Sequence, residues 1–140
     1  MLTEKHIGYL TTRNGWATPE KMTRLYDLAT EVSTDKRPCV VELGVFAGRS
    51  LFPMALAFRD AERGMVYGVE TWDNITPLEG ENSKENDEWW GKVNMEFIKT
   101  EFFKSVNFLG LGNYIEAIKV KTYDAAIRFD DGSISIVHQD

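Results

Sequence analysis

Apolar residues recur along the chain in two rhythms, and the change from one to the other marks the elements. Thr18-Pro19-Glu20-Lys21 opens a helix, with a good capping residue followed by proline at the first helical position. Met22, Leu25, Tyr26, Leu28, Ala29 and Val32 then form a stripe at three-and-four spacing. Val40 to Leu43 is a short apolar run bounded by turn signals, the mark of a strand buried on both faces. A second helix follows Gly48 with Leu51, Met54, Ala55, Ala57 and Phe58, and Pro53 falls in its first turn, where a missing N–H costs little. Met65 to Glu70 is a second strand. Thr71 to Asp87 reads as loop, and from Glu88 one long helical pattern runs through Trp89, Val93, Phe97, Phe102, Val106 and Leu109. Tyr114 to Val120 predicts a third strand, Thr122 to Phe129 a short helix, and Ser133 to His138 a fourth strand. Residues 1–17 have no sustained period and read as a lead-in arm, partly helical.

Strand, helix and strand in alternation predict an α/β fold: a Rossmann-like parallel sheet with helices on both faces and right-handed crossovers. Residues 1–140 form a single domain, with 18–140 as its βα core. Such a sheet takes ligands outside the carboxyl ends of its strands. Glu42, Gly44, Glu70, Thr71, Asp73, Thr122 and Asp140 all fall there.

Charge and composition narrow the partners. With 22 Asp and Glu against 16 Lys and Arg the net charge is −6, so a phosphate backbone is repelled and nucleic acid is not an expected partner. No apolar run approaches the roughly 20 residues that span a membrane, and no signal peptide is read, so a cytoplasmic chain without membrane contact is expected. The one cysteine, Cys39, heads an apolar strand and reads as a small buried hydrophobe. The acidic group Glu79, Glu81, Glu85, Asp87 and Glu88 reads as a solvated loop and helix start. Of Trp89 and Trp90, one is expected in the core.

The stretch from Glu42 to Ser50 is a strand-end acid, a glycine-containing turn and a helix start, which together cradle a small ligand. A phosphate-binding G-x-x-x-x-G-K-[ST] loop fails here, because the stretch is one residue short and Arg49 stands at the lysine. A dinucleotide G-x-G-x-x-G turn fails because Val45 and Phe46 replace the tight glycine run. S-adenosylmethionine suits the residues better. Its ammonium calls for the acid Glu42, its carboxylate for free N–H groups of the turn, and its ribose diol for Glu70.

Val40 to Ser50 also resembles motif I of class I S-adenosylmethionine-dependent methyltransferases. Val66-Tyr67-Gly68-Val69-Glu70-Thr71-Trp72-Asp73 is similar to the second strand of the branch that reads G-V-D-T-W, with Glu70 in place of the commoner Asp. Asp131 to Asp140 is similar to that branch's D-G-S-I-D-L-L-H-I-D, with Gln139 at an apolar position, and Trp89 to Val93 also looks like part of the branch. The resemblance implies cofactor contacts from Glu42, Gly44, Phe46, Gly48, Ser50, Glu70, Thr71 and Trp72, with Thr122 or Tyr123 near the adenine. It implies a base from His138 or Asp140, and a divalent metal, bound in some relatives, at Asp140. The implied activity is methyl transfer to a small-molecule or sugar-like acceptor, and the alternatives are a non-catalytic cofactor-binding or assembly domain and an NAD-dependent enzyme.

The family's sheet continues past its fourth strand, which lies in the middle of that sheet. The sequence is therefore expected to be truncated after its own fourth strand, with an exposed apolar edge at Ile134, Ile136 and Val137. Pairing of two copies through that edge, giving a homo-oligomer, is the corresponding expectation.

Overall fold

The computed structural model describes Met1–Asp140. Its centre is a parallel sheet of β1 (Cys39–Leu43), β2 (Met65–Val69), β3 (Ile115–Ile118) and β4 (Ile136–Gln139) in the order β3-β2-β1-β4. β1 pairs with β2 from Cys39↔Met65 to Leu43↔Val69 and with β4 from Val40↔Ile136 to Leu43↔Gln139. β2 pairs with β3 from Val66↔Ile115 to Val69↔Ile118. This is the expected α/β architecture, and β1 is central in it.

The helices are α1 (Glu4–Thr11), α2 (Pro19–Val32), α3 (Leu51–Ala61), α4 (Lys84–Lys92), α5 (Met95–Leu109) and α6 (Thr122–Ala125), with 3₁₀ turns at Thr76–Leu78 and Ala126–Arg128. The two faces of the sheet are covered unequally. Val40 and Val66 point into a core of 25 buried residues built with α1, α2, α3 and α5, in which Phe52, Phe58 and Phe102 are wholly enclosed. On the opposite face, Val41, Val69 and Ile118 meet only Ala125 of the one-turn α6, flanked by the half-buried Tyr67, Phe129 and Ile134. Cys39 lies on this thinner side and is half-buried rather than enclosed; burial still pushes its thiol pKa up, away from thiolate chemistry.

Local sequence explains where the elements begin. Thr18 Oγ1 accepts from the Lys21 N–H at 3.2 Å, and Pro19 occupies the first turn of α2, as its position in the chain predicts. The lead-in arm is more ordered than its composition suggests. Thr3 and His6 form a reciprocal capping pair at the start of α1, and Leu10 is buried in the main core.

The long helix expected from Glu88 to Leu109 is two helices. Asn94 Oδ1 accepts from the Phe97 N–H at 3.0 Å and starts α5 afresh, while Asn74 Nδ2 donates to the carbonyls of Trp90 and Val93 at 2.8 and 2.7 Å and closes α4. Two asparagine side chains supply the partners that helix ends lack, so the chain bends there at little cost. The third and fourth strands are also shorter than their apolar runs, because β-ladder pairing stops at Ile118 and begins only at Ile136.

Candidate functional site

Parallel register decides which side chains meet at the carboxyl end of the sheet. Glu42 of β1 is directly paired with His138 of β4, and both point to the face that carries α3. His138 Nδ1 lies 2.7 Å from Glu42 Oε1, and Ser50 Oγ, at the start of α3, donates to the same oxygen at 2.7 Å. Ser50 Oγ is also 3.1 Å from Asp140 Oδ2, so one hydroxyl proton stands between two carboxyl groups. Asp140 is held from the other side by Lys21 Nζ of α2, 3.3 Å from Oδ1. Glu42 has no exposed surface. Burial pushes its carboxyl above the usual carboxylate range, and the hydrogen bonds from His138 and Ser50 oppose that shift. Its other oxygen, Oε2, is enclosed and has no partner.

The turn between β1 and α3 presents backbone donors. Because the Ser50 hydroxyl is committed to Glu42, it makes no cap for α3. The N–H groups of Val45, Ala47, Ser50 and Leu51 find no acceptor within the chain, although all four residues are buried. Unpartnered donors at a helix start concentrate partial positive charge there, although these four residues themselves have almost no surface. Gly48 is required at its place: with φ at 91°, an added Cβ would stand 2.6 Å from the Phe52 ring and 2.8 Å from that of Phe102. A Cβ on Gly44 would come within 3.2 Å of the Asp140 carbonyl.

At the end of β2, Glu70 clamps two loops. Oε1 accepts from Phe46 N–H at 2.9 Å, and Oε2 from Thr71 and Trp72 N–H at 3.0 and 3.3 Å. Phe46 (φ 55°) and Trp72 (φ 51°) are both non-glycine residues in the left-handed region, a strain of the order of 1–2 kcal/mol each. The Trp72 indole N–H donates to the Phe46 carbonyl at 2.8 Å, so the two strained residues also hold each other. The Phe46 ring packs against Trp16, Trp90 and Trp89 at centroid distances of 5.1, 5.9 and 6.4 Å. Trp16 and Trp89 are exposed, whereas Trp90 is half-buried and packs on the core.

The sequence-derived residues thus fall into two clusters, with Asp73, Thr122 and Tyr123 outside them. Glu42, Ser50, His138 and Asp140 come together at β1 and β4; Phe46, Glu70, Thr71 and Trp72 come together between β1 and β2, with Gly44 and Gly48 in the turn that joins the clusters. Asp73 instead caps its own turn, accepting from Ile75 N, Thr76 N and Thr76 Oγ1. Thr122 and Tyr123 start α6 beyond β3; Tyr123 is 69% exposed, its ring beside the Lys121 ammonium, which pairs with Glu79. Arg49, which stands where a P-loop would have lysine, turns away from the cradle and donates to the Gly15 and Arg13 carbonyls at 2.8 and 3.4 Å. Lys21 and Trp16, which the sequence did not single out, join the site from the amino-terminal segment.

A divalent metal does not fit the groups around Asp140. One carboxylate oxygen faces the Lys21 ammonium and the other the Ser50 hydroxyl, and no group of three or more His, Cys, Asp or Glu side chains is arranged to hold a metal ion. No helix is long and apolar enough to cross a membrane. In comparisons with known proteins, residues 41–140 match the family model described as a methyltransferase domain. No curated protein matches the chain.

Proposed function

The chain belongs to the methyltransferase-domain family, and on that premise we propose that it transfers a methyl group from S-adenosylmethionine to a small-molecule acceptor. The observation that carries this reading is the Glu70 carboxylate at the end of β2, one strand away from the glycine-containing turn that joins β1 to α3. After accepting three backbone N–H groups Glu70 keeps one acceptor site, on Oε1, for a ribose hydroxyl. The bound cofactor supplies an electrophilic methyl group on a sulfonium. The chain's part is then to hold the two reactants in line and to exclude water between them. His138 takes the acceptor's proton in this reading, and Asp140 beside it is paired with Lys21.

Titration calorimetry with S-adenosylmethionine, S-adenosylhomocysteine and NAD tests the reading. Binding of the first two and not the third is expected, and Glu70→Ala should weaken S-adenosylmethionine by about tenfold or more, the worth of a charge-assisted hydrogen bond. Absence of binding at millimolar S-adenosylmethionine would overturn it.

A further inference from the structure

Glu42 sits where a strand-end acid would reach a ligand's ammonium, yet it has no surface with which to do so. Its Oε1 is shared between Ser50 Oγ and His138 Nδ1, each at 2.7 Å. We propose that Glu42 is a positioning residue for His138: it accepts the Nδ1 proton, fixes the plane of the ring, and leaves Nε2 as the bare nitrogen turned to the acceptor. This rests on the methyl-transfer reading above for what Nε2 receives, while the ring's tautomer is a property of the protein alone.

Three observations carry the inference. The pair is built by sheet register, since Glu42 and His138 are direct partners across β1 and β4, and the β1–β4 ladder holds their Cα positions. The carboxylate is further fixed by Ser50, which spends its hydroxyl on Glu42 instead of capping α3. Finally, the two nitrogens of His138 differ. Nδ1 is engaged inside, whereas Nε2 has no protein partner and is not among the enclosed unpartnered polar atoms, on a side chain that is 15% exposed. A carboxylate that holds one imidazole nitrogen sets which tautomer the other presents. The step balances: the acceptor's heteroatom would bond the methyl carbon as the carbon–sulfur bond breaks and leaves its electron pair on sulfur, giving a thioether, while the acceptor's proton moves to Nε2 and the imidazolium so formed is held by Glu42 through Nδ1–H.

The chain contains two histidines, and the structure gives them opposite roles, which provides an internal control. His6 Nδ1 accepts from the Thr3 N–H at 3.3 Å, so His6 carries its proton on Nε2. Long-range ¹H–¹⁵N correlation spectra of the histidine-labelled protein, at a pH where both rings are neutral, should show Nε2–H for His6 and Nδ1–H for His138. In Glu42→Met, which keeps the length of the side chain without an acceptor, His138 should lose the Nδ1–H signature while His6 keeps its own. S-adenosylmethionine affinity by calorimetry should fall by less than about tenfold in that variant. A wild-type His138 with its proton on Nε2 would overturn the proposal, and so would a loss of affinity in Glu42→Met beyond about tenfold, the mark of a direct charged contact to the ligand. If Glu42→Met does not fold, the wild-type spectrum decides alone. If wild type shows Nδ1–H on His138 but binds no S-adenosylmethionine, the positioning of His138 stands and the methyl-transfer reading falls.

Discussion

At the scale of single residues, the site is held by contacts that admit few substitutions. Gly48→Ala would place a methyl group against Phe52 and Phe102 and force alanine to a φ of 91°. The expected loss of stability is about 2–4 kcal/mol, from overpacking plus left-handed strain, read as a lowered urea midpoint at unchanged slope. Glu70→Gln is nearly isosteric but chemically different. Both carboxylate oxygens accept backbone N–H groups, so whichever way the carboxamide turns, its NH₂ meets a donor. A loss of about 1–3 kcal/mol is expected by the same denaturation measurement. Glu70 itself was legible in the sequence as an acid at a strand end. Its role as a clamp was not, because the three donors depend on the backbone turns at Phe46 and Trp72, and neither residue type favours positive φ.

At the scale of elements, hydrophobic period and capping residues compete as signals. Trp89, Val93 and Phe97 continue one helical stripe through residue 94, so periodicity alone joins α4 to α5. The break is written in Asn94, a capping residue that the stripe obscures, and in Asn74, which arrives from a distant loop and carries no local signal. Asn94→Ala should cost about 1 kcal/mol and leave the residues around Val93 the first to exchange amide hydrogens. The β1 and β2 strands were legible because each apolar run is bounded by turn residues. The pairing of Glu42 with His138 was not, since it spans 96 residues and follows from strand register. The recruitment of Lys21 to Asp140 is of the same kind: it comes from the packing of α2 against the sheet and has no signature in its own surroundings.

At the scale of the whole molecule, α2 and α3 form the most extensive helix contact on the well-covered face, and a polar bond reinforces it. Tyr26 of α2 donates its phenol to Asp60 of α3. Burial first, and then the bond to Asp60, pushes the Tyr26 pKa up to about 12 from 10.0. The folded state therefore holds this proton more tightly than the unfolded chain. The contribution is fully present below pH 10 and is lost as pH rises towards about 12. Tyr26→Phe should lower stability at neutral pH by about 1–2 kcal/mol and flatten the fall between those limits, as measured by thermal melts across an alkaline series. The unequal cover of the two sheet faces follows from element lengths that the sequence displays: a 15-residue α5 after β2 against a four-residue α6 after β3.

The aromatic packing around the turn has an optical consequence. The chain's four tryptophans all touch Phe46, three through ring contacts and Trp72 through its indole hydrogen bond. Intrinsic fluorescence of this protein is thus a report on one residue of the ligand cradle rather than an average over the fold. A ligand that displaces Phe46 should shift the emission of the whole protein at once, and one that leaves the turn at rest should be spectroscopically silent.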